Sequence, residues 1–152
     1  MTVPKSDQRK ARSAARLAAV QALYQLEMEG TLLERLLDEF HQHRLGAEIE
    51  GDQYADAEVA FFDDTVRGVA ARREEIDTLL EEKLVEGWRL ERLDKTMLQV
   101  LRAGAWELLA RADVPTATTI SEYVDVAHAF FESREAKFVN GVLDAVAKDV
   151  RG

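Results

Sequence analysis

The chain has 152 residues, no cysteine, two prolines and a formal net charge of −9. That length suits one domain with its own core, and the missing cysteine excludes disulfides and thiolate metal sites. No uncharged run approaches the roughly 20 residues of a membrane span and no apolar leader opens the chain, so a soluble, cytoplasmic protein without membrane contact is expected.

The first predicted helix runs from about Asp7 to Glu29 and stops at Gly30. Leu17, Val20 and Tyr24, widened by Leu23 and Leu26, repeat at helical spacing. A second helix is expected over Thr31–Leu45. Thr31 is its N-cap, Glu34 closes a capping box, Leu33, Leu36, Leu37 and Phe40 face inward, and Gly46 ends it. Residues 47–53 are polar and unpatterned, which reads as a loop. Val59, Phe62, Val66 and Val69 mark a third helix. Ile76, Leu79, Leu80 and Leu84 either continue it or form a fourth after a break near Arg72, ending at Gly87.

Asp94 caps the next helix, with Met97, Leu98, Leu101, Ala105, Leu108 and Leu109 as its stripe. The run Ala112–Pro115 stops it, because proline cannot continue the hydrogen-bond ladder. Thr119-Ile-Ser-Glu122 reads as a second capping box, opening a helix that buries Ile120, Val124, Ala127 and Phe131. Ser133 caps the last helix, where Val139, Val142, Leu143 and Val146 align. The sum is an all-α bundle of about seven helices. It divides into two closely packed helical subdomains, about 7–86 and 90–150, around one core.

Enzyme chemistry has no constellation here. His41 and His43 lie two residues apart on a helix, about 200° around its axis, and cannot chelate one ion without distortion. His128 stands alone. Acidic pairs such as Asp63-Asp64, Glu74-Glu75 and Glu81-Glu82 point about 100° apart and read as solvated faces. No phosphate-binding glycine loop or nucleophile elbow occurs. Neither a catalytic residue, a metal nor a cofactor is expected.

The charge is unevenly distributed. Residues 1–16 hold five bases against one acid, and the remainder 15 bases against 28 acids. A basic arm on an acidic body is either a local anion contact or a solvated tail. Arg9, Arg12 and Arg16 fall at i, i+3, i+7, so a helix lines them along one edge that can track a phosphate backbone. Cations at a helix start oppose its macrodipole, and an anionic ligand would relieve that. Arg134 and Lys137 repeat the frustration at the start of the last helix, where free N–H groups also favour anions. Gly141, inside that helix, reads as a close packing site. Tyr24, Phe130 and Phe138 neighbour the basic positions; exposed aromatics stack on unpaired bases, whereas buried ones are core, the reading preferred for Phe138.

Val20-Gln-Ala-Leu-Tyr24-Gln, Leu101-Arg-Ala-Gly-Ala-Trp-Glu-Leu108, Asp113-Val-Pro115, Ile120-Ser-Glu122 and Lys137-Phe-Val-Asn-Gly-Val-Leu143 resemble, in order and spacing, the signature segments of the NusB family of transcription antitermination factors. The resemblance implies a seven-helix, two-subdomain fold that pairs with the small-subunit ribosomal protein NusE. It implies binding of boxA RNA within an RNA polymerase antitermination complex, notably on ribosomal RNA operons. As RNA-binding residues it implies Arg9, Lys10, Arg12, Arg16, Tyr24, Lys137, Phe138 and Asn140. Arg134 joins them where relatives carry an acidic or small polar residue. Met97 and Leu98 stand where relatives often show a Glu-Arg pair, which implies a more apolar NusE contact. Free relatives are monomers or homodimers.

Two other classes compete. A helical protein–protein adapter without direct RNA contact would fit the acidic body and the apolar Met97-Leu98 pair. An accessory domain of an RNA methyltransferase would need a Rossmann-like region with a glycine-rich loop, which this sequence lacks.

Overall fold

Helix α1 (Lys5–Glu29) is built on alanine. Ala11, Ala15, Ala19 and Ala22 are buried together with Val20 and Leu23, and alanine forms helix best because it loses no side-chain entropy. Gly30 ends the helix with φ +66°, its N–H donating to Leu26 O at 3.1 Å, the left-handed cap that glycine adopts without a Cβ penalty. The computed structural model describes residues 5–43, 52–85 and 88–152, with side chains from 8–42, 58–85 and 88–152.

Helix α2 (Leu33–His43) begins two residues after Thr31. Glu34, expected to fold back on Thr31, instead pairs with Arg67, whose Nη2 donates to Oε2 at 2.9 Å. The expected stop at Gly46 and most of the 47–53 loop lie outside the described residues. Helix α3 (Asp52–Ala71) starts within that segment. Phe62 stacks on Phe40 of α2 with centroids 5.3 Å apart, and Phe62, Val66 and Val69 are buried as their spacing predicts.

The chain groups into two compact units, Met1–Arg67 and Gly68–Gly152. The second holds α4 (Arg73–Lys83), a 3-10 turn (Leu90–Arg92), α5 (Lys95–Ala110), α6 (Thr116–Phe130) and α7 (Ser133–Val150). A break at Arg72 separates α3 from α4, so Ile76 and Leu80 belong to their own helix, which packs on α5 and α7. That helix ends at Lys83, ahead of Gly87, which lies outside the described residues.

Helix α5 is the axis of this unit; every residue from Met97 to Leu108 is buried. Asp94 caps it as expected, its Oδ1 accepting from Thr96 N at 2.8 Å and Met97 N at 3.2 Å, a contribution of about 1 kcal/mol. Close packing rests on two glycines: a Cβ on Gly68 would fall 2.1 Å from Trp106 Nε1, and one on Gly104 would fall 2.8 Å from Leu143 Cδ1. Gly141, expected to be such a site, has nothing within 4 Å of an added Cβ; it faces away from the buried Val139-Val142-Leu143-Val146 stripe.

Helix α6 departs from its expected register. It starts at Thr116 after Pro115 and buries Thr119, Tyr123, Val126 and Ala127. Thr119 is no cap: its hydroxyl donates to Glu107 Oε2 at 3.1 Å, and the Tyr123 hydroxyl donates to Glu107 Oε1 at 3.0 Å. The fully buried Glu107 carboxylate needs such donors, and this demand turns the helix. Ile120, Val124 and Phe131 are accordingly half-buried. Ser133 is the first helical residue of α7 and Glu132 stands at its N-cap. At the far end Arg151 donates to Leu108 O at 2.9 Å, Val114 O at 2.8 Å and Arg111 O at 2.8 Å, tying the end of α7 to the α5–α6 turn.

Candidate nucleic-acid interface

In the first unit, α1 exposes Arg9 and Lys10 to solvent, and Arg12 is half-buried. Arg16 departs from the expected open edge: it is only 2% exposed. Two turns beyond Arg9, the ring of Phe61 from α3 covers that edge. The guanidinium carbons of Arg12 and Arg16 lie 5.0 Å and 4.9 Å from its centroid, within cation–π range. Tyr24 is exposed, and so are the apolar side chains of Met28 and Leu32.

In the second unit, the opening turns of α7 expose Arg134, Lys137 and Asn140, with Arg134 reaching 93% side-chain exposure. Phe138 is half-buried and lines a groove of about 740 Å³ with Val85, Trp88, Met97 and Phe131. Arg92 and Arg134 also reach it. Glu135 lies 3.6 Å from Arg134, and its Oε2 is buried without a hydrogen-bond partner.

Met97 and Leu98 do not form an open patch; they are 5% and 2% exposed on the inward face of α5. Met97 reaches the groove wall, whereas Leu98 belongs to the core. The exposed apolar surface comes instead from Val85 and Trp88, in the segment between α4 and the 3-10 turn. Sequence reasoning missed Trp88. Its signal was available: a tryptophan outside every periodic apolar stripe has no core position waiting for it. The structure thus brings Arg12 and Arg16 together on one ring, and Arg134, Phe138 and Met97 around one groove. The former belong to the first unit and the latter to the second.

The histidines take ordinary structural places. His41 Nε2 lies 2.6 Å from Asp63 Oδ1, linking α2 to α3, and His128 is exposed; the side chain of His43 lies outside the described residues. The Arg67 guanidinium holds the Glu34 carboxyl below its usual value, and Arg72 does the same to Glu75. Among the described residues, no group of three or more His, Asp or Glu side chains could hold a metal ion, and no helix is long and apolar enough to cross a membrane. What the exposed side chains offer is binding chemistry: cations for phosphates on α1 and α7, and an apolar groove with an aromatic lip.

Residues 13–148 match the model of the NusB family. The chain is 75% identical over 142 residues to the transcription antitermination protein NusB of Novosphingobium aromaticivorans, covering 93% of this chain and 96% of that protein. Its fold is similar to T. maritima NusB, with a TM-score of 0.74 at 31% identity, covering 98% of this chain and 94% of that one. It is also similar to a chain in the crystal structure of the antitermination factors NusB and NusE in complex with dsRNA. That match has a TM-score of 0.77 at 25% identity and covers 92% and 98% of the two chains.

Proposed function

The chain belongs to the NusB family, and from that premise we propose that it is an RNA-binding transcription antitermination factor. It pairs with ribosomal protein NusE, binds boxA RNA and supports processive transcription of ribosomal RNA operons in the cytoplasm. The role consists of binding and assembly, and the reading assigns no catalysis to the chain. The observation that carries it is the exposed basic start of α1, Arg9 and Lys10 with half-buried Arg12, on a protein of net charge −9. An acidic protein with one net-positive arm gains attraction for phosphate there while the net-negative remainder repels it.

Arg134, Lys137, Phe138 and Asn140 are assigned to RNA at the start of α7, and Tyr24 to stacking on a base. Arg16, being buried, serves the arm from beneath. NusE is assigned to the groove that holds Met97, Phe131 and exposed Trp88, since an aromatic anchor beside a pocket has the makings of an interface hot spot. Leu98 supports that wall from the core. The test is binding of boxA RNA by the full chain, alone and with NusE, across a salt series. Tight binding with NusE and a steep salt dependence are expected. Recovery of NusE with no RNA binding at any salt would favour the second reading, an adapter without direct RNA contact, for which the Trp88 groove alone suffices.

A further inference from the structure

The two arginines on Phe61 carry an inference that rests on the RNA-binding role proposed for α1. Arg12 and Arg16 are one helical turn apart, and both guanidinium groups sit about 5 Å from the centroid of the same ring. Like charges at i, i+4 repel, so the α1 sequence alone gives no reason to hold them together; the ring face, which attracts cations, supplies one. Phe61 is itself 2% exposed, fixed inside the first unit on α3.

We infer that Phe61 is a positioning residue for RNA binding: it pre-orients the half-buried Arg12 toward phosphate, with buried Arg16 as the brace beside it. A carboxylate could also orient an arginine, but it would occupy the N–H groups that a phosphate needs. An aromatic ring engages the flat face of the guanidinium and leaves its edge, with the donors, for the ligand. Fixing Arg12 before binding removes part of the rotamer entropy that a free arginine loses when it grips a phosphate. Arg16 could not touch the strand from its buried place; it packs on the same ring beside Arg12. Lysine at position 12 would keep the charge while losing the planar face, so charge and positioning can be separated by experiment.

The test is a cycle of Arg12→Lys, Phe61→Leu and the double variant, measured by titrating labelled boxA RNA into the full chain with NusE. Val66→Ala, a core change on the same helix, controls for lost stability. Each single variant is expected to weaken binding about 3- to 10-fold, the double variant no more than the weaker single, and Val66→Ala not at all. Should Phe61→Leu fail to fold, Phe61→Met takes its place in the cycle. Wild-type affinity in the Phe61 variant, or losses that multiply in the double variant, would overturn the positioning role. If instead Arg12→Ala leaves RNA binding unchanged, it is the assignment of α1 to RNA that fails.

Discussion

Gly68 on α3 lies so close to Trp106 on α5 that an added Cβ would fall 2.1 Å from the indole Nε1. The ring is 6% exposed and cannot swing aside without moving the α5 core. Gly68→Ala is expected to destabilise the fold by about 2 kcal/mol, because overpacking outweighs the gain in helix propensity. Gly141→Ala should do the reverse. Its added methyl enters open space, and the helix interior gains up to about 1 kcal/mol. Thermal unfolding of the two variants checks both signs. A Gly141→Ala protein that melts higher yet assembles poorly with RNA or NusE would show that the bare backbone there meets a partner.

The groove beside α5 gives a second expectation. Trp88 is 56% exposed and Val85 70%, so truncating them removes little from the core. Trp88→Ala should lower affinity for NusE about 10-fold or more, as loss of an aromatic anchor does, with the melting temperature nearly unchanged. Calorimetric titration with NusE measures it. Unaltered affinity would move the docking surface away from Trp88.

A third expectation concerns acid. Arg67 holds the Glu34 carboxyl below its ordinary value of 4.5. A carboxylate depressed in the folded state stabilises the fold above its unfolded value, and that contribution is lost as pH falls through the folded one. Wild type should therefore exceed Glu34→Gln in urea midpoint at neutral pH, by a small margin because the pair is solvated. The gap should close below the ordinary glutamate range. A gap that persists once the carboxylate is titrated would mean that Glu34 acts through packing instead.

Local signals were legible in the sequence, and signals that depend on a distant partner were not. Asp94 could be read as a cap because its acceptors' donors, Thr96 N and Met97 N, lie two and three residues away. Thr119 carried an equally good local pattern with Glu122, but Glu107, twelve residues back and buried, claimed its hydroxyl. Glu34 was claimed in the same way by Arg67, across a gap of 33 residues. The glycines show the same divide. Asn140-Gly141 drew attention as an oddity inside a helix, whereas Gly68 and Gly104 became necessary only through Trp106 and Leu143. At the candidate interface, spacing found the basic edge of α1 but could not reveal that Phe61 would bury Arg16 and hold Arg12.

The most direct measurement is the salt dependence of boxA RNA binding, with NusE present, for wild type and for Arg9→Ala/Lys10→Ala/Arg12→Ala. If α1 grips phosphates, log affinity falls linearly with log salt, and the triple variant binds more weakly with a slope shallower by about 2, since each lost phosphate contact on a single strand removes roughly 0.7. An affinity and slope identical to wild type would contradict the account, leaving the basic arm a solvated tail.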